Sequence, residues 1–246
     1  MKPSAALLSD IGKKRQQNQD NASSRPDLGL FVVADGMGGH RGGETASRIA
    51  AEVIPEQVQN LLKKKPNHKA VLTSSIQKAN EEIFDAGLKH PELQGMGTTT
   101  TALLFVPEQN KILLGHVGDS RCYFLRPGLL WQLTRDHSLV QEKLKAGIIT
   151  RDQLKTDRMK NVLTRSVGFE PKVQVELYEM DVHEGDTFLL CSDGLSGLVS
   201  DADILKTVED ELFANSNINA ALEKLIATAN KNGGDDNITA LIVHFS

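Results

Sequence analysis

The chain has 246 residues, a formal net charge of −4, 39% apolar residues and 24% charged residues. That balance describes a globular chain rather than a disordered one, long enough to bury a core without disulfide or metal staples. It carries no basic tail or stripe that would track a nucleic-acid backbone, and no apolar run near the roughly 20 residues that a bilayer crossing needs.

Residues 1–10 hold an apolar stretch too short for a signal peptide, so a cytoplasmic protein is expected. Residues 28–34, LGLFVVA, form an apolar run bounded by Pro26 and Gly36 and predict a buried strand. An amphipathic helix follows over 43–65, with Ala46, Ile49, Ala50 and Val53 at helical spacing and Pro55 expected to kink or divide it. The run Lys63, Lys64 and Lys65 suits the negative end of that helix. A second helix is predicted over 71–88 on Ile76, Ala79, Ile83 and Phe84, and the two could pack as a hairpin.

Strands at 98–106 and 111–117 flank a turn at 107–110, and a second hairpin, 121–125 with 129–133, turns at Pro127 and Gly128. The stretch 138–165 is polar and loosely helical and could be a surface insertion. Strands are predicted at 173–178, 187–191 and 238–245, and helices at 202–211 and 219–230. Antiparallel hairpins with helices grouped in pairs predict an α+β protein of stacked sheets covered by helices, as one domain over 1–246. Cys122 and Cys191 fall in predicted buried strands without metal-ligand spacing; two buried free thiols are expected, with a disulfide between them the alternative.

Four aspartates stand at the edges of apolar strands: Asp35 after LFVVA, Asp119 after ILLGHVG, Asp193 after FLLCS and Asp236 before NITALIV. Any one of them alone is a turn signal, since Asp-Gly is common in turns. Four on separate strong strands are different, because converging carboxylates repel one another unless cations neutralise them. Oxygen ligands select Mg²⁺, Mn²⁺ or Ca²⁺ over Zn²⁺, and neither HExxH nor CxxC is present. Two such ions activate water for attack on a phosphate ester, so no Ser or Cys nucleophile is needed. The glycine-rich stretch 36–43 lacks the order of a Walker motif, and neither Cys lies in a phosphate-cradling loop.

Six motifs in order then resemble the metal-dependent serine/threonine protein phosphatases of the type 2C class, in their bacterial form. They are Gly12-x-x-Arg15-x-x-Asn18-Gln19-Asp20, Asp35-Gly36-Met37-Gly38-Gly39, Gly97-Thr98-Thr99, Gly118-Asp119-Ser120-Arg121, Cys191-Ser192-Asp193-Gly194 and Gly234-Asp235-Asp236-Asn237-Ile238-Thr239. The resemblance implies a four-layer α-β-β-α sandwich, two antiparallel sheets flanked by pairs of helices. It implies two core Mn²⁺ or Mg²⁺ ions and a third, weaker one. Asp35 would bridge the two core ions, with the Gly36 carbonyl on the second. Asp193 and Asp236 would complete the first site, and Asp119 with Asp193 would hold the third ion. Arg15 would clamp the substrate phosphate, which suits a guanidinium fork. Asp20 would hold a metal-bound water, and Asn237 and Thr98 would support the site.

Two positions depart from the pattern. Gln19 stands where many relatives carry Glu, which removes a negative charge near the second metal. Met37 stands where animal members carry a His proposed as general acid. His40 is the nearest candidate for that acid; a metal-bound water is the alternative, with His40 contacting phosphate or capping the helix. His137 is expected to be structural or at the cleft edge, and His116 to be a core or surface strand residue. The segment 138–168 corresponds to the flap beside the cleft in relatives.

The resemblance thus implies hydrolysis of phosphoserine and phosphothreonine in proteins without a covalent phosphoenzyme, in a monomer working opposite a Ser/Thr kinase, with no nucleic-acid or membrane partner. The competing expectations are a catalytically weak signalling module on the same fold, which the complete aspartate set disfavours, and a hydrolase of small phosphate esters.

Overall fold

The computed structural model describes residues 1–64, 67–154 and 156–246, with every side chain in them except that of His40. Lys65 and Lys155, which belong to the lysine run and the 138–168 insertion, lie outside the described residues.

Two antiparallel sheets form the centre. The first has the order β1 (Pro3–Asp10), β11 (Ile238–Phe245), β10 (Thr187–Cys191), β7 (Arg121–Arg126) and β8 (Leu129–Gln132). The second has the order β2 (Asp20–Arg25), β3 (Leu30–Met37), β5 (Thr100–Val106), β6 (Lys111–Val117) and β9 (Glu176–Asp181), with the two-residue β4 (Gly97–Thr98) paired to the end of β3. Phe31, Val33, Leu103, Leu114, Phe124, Phe188, Leu190, Val243 and Phe245 fill the space between the sheets. The alternate residues of the same strands face outward. Val32, Ala34, Ala102 and Leu104 pack against Ala50, Ile54, Leu72 and Ile76 of helices α1 (Gly39–Leu62) and α2 (His68–Lys89). Tyr123, Leu189, Ala240 and Ile242 pack against Ile204, Val208, Leu222 and Leu225 of α5 (Asp201–Val208) and α6 (Ile218–Lys231). Strands buried on both faces read as continuous apolar runs, which is why LFVVA and ALIV lack alternation. The result is a four-layer α-β-β-α sandwich.

Several expected boundaries move, each for a physical reason. Helix α1 begins at Gly39 rather than residue 43 and runs through Pro55 undivided. Proline removes one helical N–H, but Val53, Ile54 and Val58 on both sides of it are buried against the second sheet, and that packing holds the helix together. The strand expected over 98–106 breaks at Thr99, whose N–H donates to the Asp35 carbonyl at 2.8 Å. Val173 and Val175 pack as loop against the α1–α2 side, and the strand starts only at Glu176, where pairing with β6 begins. The helix expected over 202–211 ends at Val208 and continues as a π-turn, Glu209–Phe213. Within 138–168 lie helix α3 (Leu139–Lys145) and a 3₁₀ turn (Arg151–Gln153).

Cys122 and Cys191 are both buried and free. Cys191 pairs with Arg121, so Cys122 and Cys191 fall on opposite faces of the first sheet, one toward the other sheet and one toward the helices. No disulfide can join them there.

Candidate functional site

One end of the sandwich collects the aspartates. Asp20 opens β2 and Asp35 lies near the end of β3, and the two are direct partners in the ladder. Asp119 sits in the turn between β6 and β7. In the other sheet, Asp193 follows β10 and starts the short helix α4 (Asp193–Ser196), and Asp236 precedes β11. Strand ends aim these carboxylates rigidly because the ladders and core faces behind them are fixed. Arg15, Asp35, Gly36, Asp119, Asp193 and Asp236 line one cavity of about 340 Å³, joined by Gln19, Asn161 and Leu163.

Backbone contacts hold the arrangement. The Asp35 N–H donates to Thr99 Oγ1 at 2.9 Å, and Thr98 Oγ1 donates to the Asp35 carbonyl at 2.9 Å. Ser192 Oγ donates to Asp20 Oδ2 at 2.7 Å across the two sheets. Asn237 accepts from the Gln19 N–H and donates to the carbonyls of Ile11 and Gln17, which sets the loop carrying Arg15. A Cβ on Gly36 would collide with the carbonyl oxygens of Gly43 and Gln19, so only glycine allows β3 and α1 to approach there.

Electrostatics make the cluster unstable as bare anions. Burial pushes the Asp35 carboxyl well up, and Asp20, Asp193, Asp119 and Asp236 add to it. Burial raises Asp20 to about 7, against hydrogen bonds from Ser192 and Thr239, with Asp193 and Asp236 raising it further. Asp119 rises to about 8, by burial and then by Asp193 and Asp136, with Arg121 opposing. Asp193 is raised by burial and by Asp236. Arg15 Nη2 donates to Asp236 Oδ2 at 2.6 Å, placing a cation directly on a carboxylate of the group.

Two buried carboxylate oxygens, Asp20 Oδ1 and Asp193 Oδ1, have no hydrogen-bond partner among the described residues. Buried charged oxygens left bare are costly, and a hard divalent cation is the ligand that such a donor set fits. Among the described residues, no three His, Cys, Asp or Glu side chains already stand as an ion cage. The carboxylates instead engage Arg15, Ser192 and each other, contacts that a cation would replace. The raised carboxyl groups and the two bare oxygens fit a divalent cation at this site.

The protein phosphatase 2C family profile matches residues 12–242. The chain belongs to the protein phosphatase 2C family. It is similar to the serine/threonine phosphatase stp of Listeria innocua serovar 6a, 36% identical over 244 residues that cover 97% of this chain and 94% of that protein. Its fold is similar to the Mycobacterium tuberculosis serine/threonine phosphatase PstP/Ppp, with a TM-score of 0.88, 33% identity and all of both chains covered. It is also similar to a PstP catalytic domain whose crystal structure contains two manganese ions, with a TM-score of 0.84, 33% identity, and 99% and 98% of the two chains covered.

In this phosphatase 2C chain, the structure brings together Arg15, Asp20, Asp35, Gly36, Asp119, Asp193 and Asp236. The side chain of His40 lies outside the described residues, although its backbone is in the first turn of α1. Gln19 donates from Nε2 to the Gly39 carbonyl at 2.7 Å, tying the β2 entry to the start of α1. Asn161 and Leu163, from the insertion, reach the cavity wall; their polar, aperiodic surroundings carry no sequence signal for that placement. Thr99, Ser120 and Ser192 are buried supports, and Thr99 Oγ1 and Ser120 Oγ share a hydrogen bond of 2.7 Å. Their position inside the matched motifs was the only available hint.

Proposed function

We propose that this phosphatase removes phosphate from phosphoserine and phosphothreonine of proteins in a Mn²⁺- or Mg²⁺-dependent hydrolysis at the aspartate cluster, without a covalent phosphoenzyme. The observation that carries the assignment is the pair of unpartnered buried carboxylate oxygens, Asp20 Oδ1 and Asp193 Oδ1, amid carboxyl groups pushed well above their usual range.

Asp35, the Gly36 carbonyl, Asp193 and Asp236 would hold two core ions, and Asp119 with Asp193 a third. When bound, the ions supply an activated water and neutralise charge on the phosphoryl group during in-line displacement. Arg15 binds substrate phosphate: its guanidinium is half-exposed, lies on the cavity wall and leaves Asp236 to fork onto phosphate oxygens. Asp20 orients the attacking water through its free Oδ1, while Ser192 keeps the carboxylate from rotating away. His40, three residues beyond Met37 in the first turn of α1, is the nearest candidate for the group that gives a proton to the departing Ser or Thr oxygen.

The chain acts as a single domain, its two sheets sharing one interior, with 138–168 as a flap beside the cleft. Its phosphoprotein substrates presuppose a Ser/Thr kinase, and a monomer in the cytoplasm is the simplest setting. Among the described residues, no helix is long and apolar enough to cross a membrane.

Purified protein is expected to hydrolyse an aryl phosphate and a phosphothreonine peptide with added Mn²⁺ and to stop in EDTA. Turnover unchanged after exhaustive chelation would refute the assignment.

A further inference from the structure

We infer that His137 is a positioning residue for the reaction, fixing the Gly118–Asp119 turn and tying it to the chain around Thr164 and Glu176. The inference rests on the proposed role of Asp119 in holding an ion.

Gly118 gives both of its backbone polar groups to His137. Its N–H donates to His137 Nδ1 at 3.0 Å, and its carbonyl accepts from the His137 N–H at 2.8 Å. The turn has little room to settle elsewhere. Gly118 has φ of +108°, and a Cβ there would come within 2.6 Å of the Thr99 side chain, the same threonine that accepts from the Asp35 N–H. Asp119 follows directly, so the aim of its carboxylate is set by how Gly118 is held.

The imidazole is itself oriented. An Nδ1 that accepts requires the proton on Nε2, and Nε2–H then donates to Glu176 Oε2 at 3.0 Å. Arg165 Nη1 lies 3.3 Å from Nε2, but both atoms carry hydrogen in that tautomer, so the guanidinium donates instead to the Gln174 carbonyl at 3.3 Å. The His137 ring lies against His116 with 4.8 Å between centroids, and His116 is pinned by Thr101 and the Arg135 carbonyl. The His137 carbonyl accepts from the Thr164 N–H at 2.9 Å, where the 138–168 insertion returns to the core. Glu176, His137, Gly118 and Asp119 thus form one chain of contacts, from the first residue of β9 to the cavity. A small displacement of a reacting group costs rate steeply, which is what such a support prevents.

Three substitutions test this: His137→Phe, Glu176→Leu and Glu176→Gln. Phenylalanine keeps the ring against His116 but offers no acceptor to the Gly118 N–H. In Mn²⁺-loaded enzyme, His137→Phe is expected to lower kcat on an aryl phosphate by roughly 10- to 100-fold, with KM moving about twofold or less. In metal-free protein, hydrogen exchange at the Gly118 and Asp119 amides is expected to rise about tenfold or more while β10 and β11 keep their protection. Glu176→Leu is expected to shift both readouts the same way by a smaller factor, and Glu176→Gln, which still accepts from Nε2–H, to restore them. Native kcat, native protection of Gly118, or a uniform loss of protection with kcat per folded molecule retained would overturn the inference. Should His137→Phe fail to fold, the Glu176 pair decides by the same two readouts. An inactive wild-type enzyme in Mn²⁺ would instead strike at the phosphatase assignment, and Gly118 exchange would still decide the role of His137.

Discussion

Asp20 and Asp35 face each other across the β2–β3 ladder, where like charges destabilise pairing, and Asp119, Asp193 and Asp236 close in from other strand ends. A bound divalent cation would offset that repulsion. Asp193→Ala is therefore expected to lower kcat by about 100-fold or more, as loss of an oxygen ligand would. Arg15→Ala is expected to raise KM by roughly 10- to 100-fold, the equivalent of one charge-assisted contact of about 1.5–3 kcal/mol, with a smaller change in kcat. Steady-state kinetics on one aryl phosphate check both; native activity in Asp193→Ala would remove that residue from the site. The cost of the bare anions gives a second prediction. The Asp119 carboxyl is raised to about 8 in the folded chain, so metal-free protein loses stability as pH climbs from about 4 through about 8, while below that range the proton is held in both states. Asp119→Asn in EDTA is expected to melt higher than wild type at pH 8 and to lose that advantage at acid pH. Equal melting temperatures at pH 8 would show that the cost of holding the Asp119 anion in its buried position is slight.

At the level of elements, the strands buried on both faces were legible because apolar runs such as 111–117 and 238–245 have no other use, and they match β6 and β11 to the residue. The edge strands β1 and β2 were not. β2 reads DNASSR and is held by its ladder and by Asn21 donating to Ser47 Oγ, so no hydrophobic period marks it. Asp35, Asp119, Asp193 and Asp236 were legible for the reason the central strands were, since each borders a strong apolar run. The contacts that aim them, Ser192 to Asp20 and Thr99 to Asp35, join residues far apart in sequence, and spacing alone cannot supply such pairs. His116 on β6, expected as a core or surface strand residue, takes the core position and is fully buried between Thr101 and the Arg135 carbonyl. Burial and the adjacent His137 lower it to about 4, so the folded chain resists a proton that the unfolded chain accepts below about 6.5. Its contribution is complete above about 6.5 and is lost as pH falls to about 4, a difference of roughly 3 kcal/mol at 1.36 kcal/mol per pH unit. His116→Asn is expected to flatten the acid limb of a plot of unfolding free energy against pH between these values. An unchanged slope would place the acid sensitivity elsewhere.

For the molecule as a whole, two sheets share one interior and send their strand ends to a common edge, so folding and site assembly are one event. Each sheet alone carries an incomplete carboxylate set: Asp20 and Asp35 come from one, Asp193 and Asp236 from the other, and Asp119 from the turn that links them. A cation held by both sets would therefore also join the sheets, and its binding would add to stability as its concentration exceeds the dissociation constant. Calorimetric titration of metal-free protein with Mn²⁺, for wild type beside Asp193→Ala, measures this directly. Saturable binding of at least two ions to wild type, with the Asp193→Ala isotherm weakened and short of that stoichiometry, is the predicted result; no saturable binding to folded wild type, or identical isotherms for the two proteins, would contradict it.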